Sequence, residues 1–379
     1  MKRILILVLA VWMLAVPVGA GGPEVAGKGA ILMDAATGTI LFENNSHASL
    51  APASVTKVMT MLLIMEAIDS GQINWTDTVT ASEAAAAKGG SQVYLKVGES
   101  MTVSDMVKSI AVSSANDCAC AMAEHLAGSE AAFVDRMNQR AAELGMTDTH
   151  FVNCTGLDDD PNAKDHKTSA HDIAIMSREL LTKHPDINQY TTIWMDTIRD
   201  GAFGLSNTNK LVRYYPGCTG LKTGFTSSAG YCLSASAQRD GLELIAVVLG
   251  AETSQDRFAA CKSLLDYGFA NYAIYTPVIQ EGASVPVTLG HEATVGAVPE
   301  TLPQLLVEKA QIGGITTEIT LLPSVDAPVV QGQQLGMVTV KNGGALLADI
   351  PLVAATGVEA LGIGDVMGQI LRQVAMGKP

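Results

Sequence analysis

Pro52-Ala53-Ser54-Val55-Thr56-Lys57-Val58-Met59-Thr60-Met61-Leu62-Leu63-Ile64-Met65-Glu66-Ala67-Ile68 is the stretch on which the fold turns. From Ala53 to Ile68 it reads as one helix, apolar nearly all round and therefore buried. Its methionines, Met59, Met61 and Met65, read as core filler. Two residues at its start carry chemistry. Ser54 and Lys57 stand three apart, as S-x-x-K, and so share a helix face. A serine hydroxyl is a poor nucleophile until a base takes its proton. A lysine is such a base only if its pKa falls, which burial and a second cation promote. Taken alone, the pair reads more simply as a helix cap and a solvated first-turn lysine, so the surroundings must decide.

Outward from that helix the chain organises itself as α+β. Gly29 to Met33 and Thr39 to Phe42 are two short strands around the turn Asp34-Ala35-Ala36-Thr37-Gly38, a hairpin pattern. Ala84 to Ala87, Val103 to Val112, Cys118 to Leu126 and Ala131 to Leu144 carry helical signals, the last with Gly145 as its stop. Asn153 to Thr168 is loop-like, and Ser169-Ala170-His171-Asp172 opens another apolar helix, Ile173 to Leu181, with Asp172 expected to cap it. Gly220 to Gly224, Gly230 to Ala237 and Leu242 to Gly250 then read as strands, and Ser254 to Tyr267 as a closing helix. Helices bracketed by strands from both chain ends call for an antiparallel sheet flanked by helices. After Tyr275-Thr276-Pro277 come short β runs, Thr316 to Leu321 and Gly336 to Val340 among them, punctuated by proline and glycine. The expected organisation is a main domain over 24–275, a small all-β domain over 276–356 and a tail over 357–379.

Two further motifs join the first. Ser114-Ala115-Asn116 is S-x-N, between two helical segments, and Lys222-Thr223-Gly224 is K-T-G, on a strand; each of the three motifs occurs once. Lys222 supplies the second cation if its strand passes the helix start. Ser114 can relay a proton to a leaving amine, and Asn116 can donate to a substrate amide or to Lys57. Lys222 and Thr223 can bind a substrate carboxylate. Gly224 lets a substrate strand approach the sheet edge. The N–H of Ser54, at a helix N-terminus, and that of Phe225 can form an oxyanion hole.

Composition narrows the classes. With 48% hydrophobic and 16% charged residues, the 379-residue chain carries a large packed core. Its net charge of −14 argues against a nucleic-acid partner. Lys2-Arg3, the apolar run Ile4 to Val16 and Val18-Gly19-Ala20 form a secretory signal over residues 1–20, cut after Ala20. The protein is thus expected outside the cytoplasm, in the cell wall or on the outer face of the cytoplasmic membrane. Cys118, Cys120, Cys154, Cys218, Cys232 and Cys261 form no C-x-x-C pair, and most are expected to be buried free thiols. His166 and His171, near Asp165 and Asp172, fit no common zinc spacing. No metal and no cofactor is expected, and His166 is read as a loop residue.

The three motifs in this order, extended to Pro52-Ala53-Ser54-Val55-Thr56-Lys57-Val58-Met59-Thr60, Ser114-Ala115-Asn116-Asp117 and Gly220-Leu221-Lys222-Thr223-Gly224-Phe225-Thr226, with Gly250-Ala251-Glu252 to Arg257, resemble the low-molecular-mass penicillin-binding proteins of D-alanyl-D-alanine carboxypeptidase type. The likeness spans nearly the whole mature chain. It implies the β-lactamase/penicillin-binding-protein fold and a serine acyl-enzyme on Ser54. It implies as substrate a peptidoglycan stem peptide ending in D-Ala-D-Ala, and β-lactam antibiotics as covalent inhibitors. Where several members carry histidine after K-T-G, this chain has Phe225, which leaves only a backbone role there. Arg257 has two readings, a hold on the terminal carboxylate or a surface ion pair. A β-lactamase-like hydrolase is disfavoured by the missing E-x-x-L-N loop. A D,D-endopeptidase stays open, and a non-enzymatic penicillin-sensing or wall-binding module is opposed by the intact Ser54, Lys57 and Lys222.

At the C-terminus, Ile363, Val366, Met367, Ile370, Leu371 and Val374 recur at helical spacing, with Gln369, Arg372 and Gln373 off the stripe. The segment is too short to span a bilayer. Two readings stand level: peripheral contact with the membrane surface, as in many members of the family it resembles, or packing on the protein's own β domain or a second copy.

Overall fold

The apolar helix forms in two parts. In the computed structural model, which describes residues 22–159 and 162–375, Ala53–Thr56 is a 3-10 turn and Lys57–Asp69 an α-helix, α1. The expected signal segment, residues 1–20, lies outside the described residues. Every residue from Lys57 to Met65 is buried, including the three methionines. Each large apolar side chain so buried contributes roughly 1.5–3 kcal/mol, and the helix carries Lys57 into the core with it.

The hairpin strands are Gly29–Asp34 (β1) and Ile40–Asn44 (β2), and the later strands are Cys218–Thr226 (β3), Gly230–Arg239 (β4) and Leu242–Ala251 (β5). They form one antiparallel sheet in the order β2-β1-β5-β4-β3, so the first and last strands of the main body pair at its centre. On one face lies the helix Ser254–Asn271, with Leu264 and Leu265 against Leu244 and Leu233. A capping box between Thr253 and Asp256 starts it. The other face packs on the start of α1 and on Ala170–Lys183, and the helices Val103–Ser113 (α2), Asn116–Ala127 (α3) and Glu130–Glu143 (α4) pack in turn on α1; Ala170–Lys183 is α5.

One expectation changes. Ser169, not Asp172, caps α5 by accepting from the Asp172 N–H; the Asp172 carboxylate instead accepts from Asp148 N and Thr149 Oγ1, at 2.8 and 2.7 Å, and ties the preceding loop to the helix. Short ribbons at Thr78–Thr80 with Ser100–Thr102, and at Met195–Ile198 with Phe203–Ser206, have too few residues to show periodicity in sequence. The cysteines are all free, and all but Cys218 are buried.

The chain then builds a six-stranded sheet from Ser284–Thr288 (β6), Thr294–Pro299 (β7), Ile315–Leu321 (β8), Val325–Asp326 (β9), Gln334–Asn342 (β10) and Ala345–Ala354 (β11). Its order is β8-β10-β11-β7-β6-β9, around a core that includes Val285, Leu335, Val338 and Leu352. Backbone bridges Val329–Val358 and Gly290–Ala360 carry this body to residue 360. The following helix, Ile363–Ala375, exposes its stripe: Ile363 is 85% and Leu371 64% accessible. Ile363, Met367, Ile370 and Leu371 are thus not packed on the protein's own β body. Among the described residues no helix is long and apolar enough to cross a membrane.

Candidate active site

Ser54 sits in a turn with an unusual start. Ala53 has φ +48°, the left-handed region that costs a non-glycine residue roughly 1–3 kcal/mol and persists only where its surroundings enforce it. Gly156, at φ +81°, backs directly onto it: a Cβ there would lie 1.8 Å from the Ala53 carbonyl oxygen. That oxygen accepts from Thr56 Oγ1 at 2.8 Å. In 3-10 geometry residues i and i+3 eclipse one another, which sets Lys57 Nζ 2.9 Å from Ser54 Oγ.

The amine has a second partner, the carbonyl of Thr155 at 2.6 Å. Asn153 shapes that loop, its Oδ1 accepting from the N–H groups of Thr155 and Gly156 and its Nδ2 donating to Leu157 O. Burial lowers the Lys57 pKa to about 7, against the opposing pull of Cys154 and Asp117. At neutral pH a substantial fraction of this amine is an unprotonated base.

Lys222 lies on β3, the edge strand of the sheet, and is also buried, its Nζ donating to Thr223 O at 2.8 Å. Burial pushes its pKa well down, and the positive charges of Lys57 and Arg257 add to the effect. The two amines are therefore neighbours; burial leads in both, and the neighbouring positive charge adds to it at Lys222 but not at Lys57. Thr223 Oγ1 donates to Thr208 Oγ1 at 2.7 Å, and Thr208 N in turn donates to Val112 O at the end of α2, which joins the strand to the helical side.

Gly224 has a different reason for being glycine than the one the sequence suggests. A Cβ at 224 would sit 2.8 Å from Pro52 O and 3.0 Å from the nitrogens of Ser54 and Val55. The missing side chain lets β3 touch the serine's own turn. Phe225 turns its ring outward, 53% exposed and stacked on Tyr231 with centroids 4.3 Å apart. Arg257 is buried, so the surface ion-pair reading fails. Its guanidinium donates to Gly224 O at 2.8 Å and to Cys232 O at 3.3 Å, and it lies over the rings of Phe258 and Tyr231.

Ser114 ends α2 in the left-handed conformation, φ +64°, and is buried. Asn116 Nδ2 donates one of its two N–H groups to Gly89 O at 2.8 Å, and its buried Oδ1 has no partner among the described residues, so the side chain offers an acceptor as well as a second donor. Asp117 follows; its carboxylate accepts from the N–H groups of Val93 at 3.1 Å and Leu95 at 3.0 Å, and so holds the loop beside the motif. Thr155, Gly156, Thr56 and His166 escape sequence reasoning. Asp117 and Thr56 had a signal, as members of their motifs, and His166 drew notice only for its spacing to His171. His166 and His171 point to different places: His166 Nε2 lies 2.8 Å from Thr56 Oγ1, while His171 stacks on His47 with centroids 4.3 Å apart.

The chain matches known proteins along most of its length. Residues 17–253 match the family model described as D-alanyl-D-alanine carboxypeptidase, and residues 275–360 match the penicillin-binding protein 5, C-terminal domain. The D-alanyl-D-alanine carboxypeptidase DacF of Bacillus subtilis is 42% identical over 86% of this chain and 84% of its own length. Penicillin binding protein 5 of Haemophilus influenzae superposes with a TM-score of 0.71 at 30% identity, covering 90% of this chain and all of the other (100%). Penicillin-Binding Protein D2 of Listeria monocytogenes, in its ampicillin-bound form, covers 65% of this chain and 98% of its own, with a TM-score of 0.59 at 31% identity. The chain belongs to the D-alanyl-D-alanine carboxypeptidase family and is a serine-type peptidase of that specificity.

Proposed function

We propose that Ser54 is the acylated nucleophile and Lys57 its base. The observation that carries this reading is the 2.9 Å contact between Ser54 Oγ and an amine whose burial brings its pKa to about 7. Neutral Lys57 takes the hydroxyl proton as Ser54 Oγ attacks the carbonyl of the penultimate D-alanine. The developing oxyanion meets the N–H groups of Ser54 and Phe225. Ser114 passes a proton to the leaving D-alanine amine, and water then hydrolyses the acyl-enzyme. Lys222 and Thr223 receive the terminal carboxylate, which supplies the counter-charge the Lys222 site otherwise lacks. The open Asn116 Oδ1 suits a substrate amide N–H.

Penicillins present a strained amide to the same serine, and the likeness to an ampicillin-bound relative supports their covalent attachment here. The signal over residues 1–20 carries the protein out of the cytoplasm, where its substrate lies. The exposed stripe of the C-terminal helix meets the membrane surface.

The test is to incubate the purified mature chain with a fluorescent penicillin and, separately, with a diacyl-Lys-D-Ala-D-Ala peptide. The parent should take one covalent label and release D-alanine with steady turnover. Ser54→Ala should do neither while keeping its fold. Labelling that persists in Ser54→Ala sinks the assignment.

A further inference from the structure

We infer that His166, acting through Thr56, aims the backbone N–H of Ser54 into the oxyanion site; this rests on the reading of Ser54 as nucleophile. The hydrogen bonds run in one direction. Val152 N–H donates to His166 Nδ1 at 3.0 Å, so that nitrogen presents its lone pair. The neutral ring then carries its proton on Nε2, 2.8 Å from Thr56 Oγ1. Thr56 Oγ1 accepts that N–H and gives its own proton to Ala53 O, which can only accept, at 2.8 Å.

The carbonyl it holds belongs to the Ala53–Ser54 peptide, which is trans. In a trans peptide the C=O and N–H point opposite ways in one plane. Tying Ala53 O inward therefore turns Ser54 N–H outward, toward the strand that bears Gly224 and Phe225. The neighbourhood agrees, since a Cβ on Gly224 would lie 3.0 Å from Ser54 N. The left-handed backbone at Ala53 gives the tether a reason, because an unheld alanine there would relax and swing the N–H away.

The second donor is held the same way. Arg257 donates to Gly224 O, and the trans Gly224–Phe225 peptide then directs Phe225 N–H toward the free edge of β3, the outermost strand of its sheet. Each N–H is set from behind by a buried side chain bonded to the carbonyl of its own peptide. His166 and Thr56 are thus positioning residues. They touch no substrate.

Stopped-flow acylation by a fluorescent penicillin separates this role from simple anchoring of the loop. His166→Asn keeps an acceptor near the Nδ1 position but loses the Nε2 donor; His166→Gln does the reverse. Thr56→Val loses the hydroxyl and Thr56→Ser keeps it. Misaiming one oxyanion donor should lower the acylation rate constant at least about tenfold in His166→Asn and Thr56→Val, with the affinity of the initial non-covalent complex within about twofold. His166→Gln and Thr56→Ser should stay within about threefold of the parent. The inference is overturned if His166→Asn acylates at the parental rate, or if His166→Gln falls as far as His166→Asn. Where melting shows a His166 variant unfolded, the Thr56 pair decides by the same criterion. A parent chain that takes no label on Ser54 sinks the underlying reading, and this inference with it.

Discussion

Lys57 donates to the carbonyl of Thr155 at 2.6 Å, closer than its 2.9 Å to Ser54. One N–H is thereby committed to a fixed backbone oxygen, which leaves the rest of the amine facing the serine. A lysine side chain has four rotatable bonds, and this contact, with full burial, takes most of that freedom away. The amine is held in place before any substrate arrives.

The pH dependence follows from its lowered pKa. An ammonium cannot accept the serine proton, so acylation requires Lys57 without its proton. With a pKa of about 7, the protonated form dominates below that value and the active form above it. The acylation rate constant should rise about tenfold per pH unit below 7 and level off above it. A profile flat from about pH 5.5 to 8.5 in stopped-flow acylation would remove Lys57 from the role of base.

Gly224→Ala should damage activity more than folding. Its new Cβ would press on backbone atoms of Pro52, Ser54 and Val55, which have no flexible end to give way. Overpacking of this kind costs about 1–3 kcal/mol of stability. The turn that carries the nucleophile would also shift, with acylation falling at least about tenfold. Gly156→Ala should melt lower still, since it adds a positive φ to a 1.8 Å collision with Ala53 O. Thermal melts and acylation rates of the two variants, side by side, check both orders.

If Lys222 and Thr223 hold the terminal carboxylate, amidating that carboxylate should cost the parent far more activity than it costs Lys222→Ala. Equal losses in the two proteins would assign this lysine another task. Arg257→Gln is the useful companion. Its partner in the structure is Gly224 O, so it should lose turnover on acid and amide substrates alike.

The C-terminal helix offers a physical separation of anchoring from catalysis. Truncation has to begin at Gly362, because Val358 is buried in the β body and Leu361 N donates to Leu289 O at 2.8 Å. A chain lacking residues 362–379 should stay in the supernatant with peptidase turnover unchanged. The mature chain should sediment with anionic liposomes at low salt, and its failure to do so would dismiss the membrane reading.

Much of this architecture was legible in the chain before any coordinates. The helix at Ala53, the hairpin at Gly29 and the apolar strand at Leu242 announce themselves because local periodicity and turn residues act over a few neighbours. The short ribbon at Thr78–Thr80 did not, since three residues cannot display a period. The capping residue of α5 was misplaced by three positions because Ser169 and Asp172 are both good caps, and the choice depends on what else Asp172 can reach.

The sequence by itself determined that Ser54 and Lys57 meet, since residues at i and i+3 share one face of any right-handed helical turn. Tertiary structure alone decided what surrounds them. Thr155 holds the amine, Gly156 and His166 hold the turn, Arg257 bonds Gly224, and Asn116 is left with an acceptor open. The reason is that most of these partners meet through backbone carbonyls. Every residue type carries one, so such a contact leaves no mark in the order of side chains and exists only once the chain has folded.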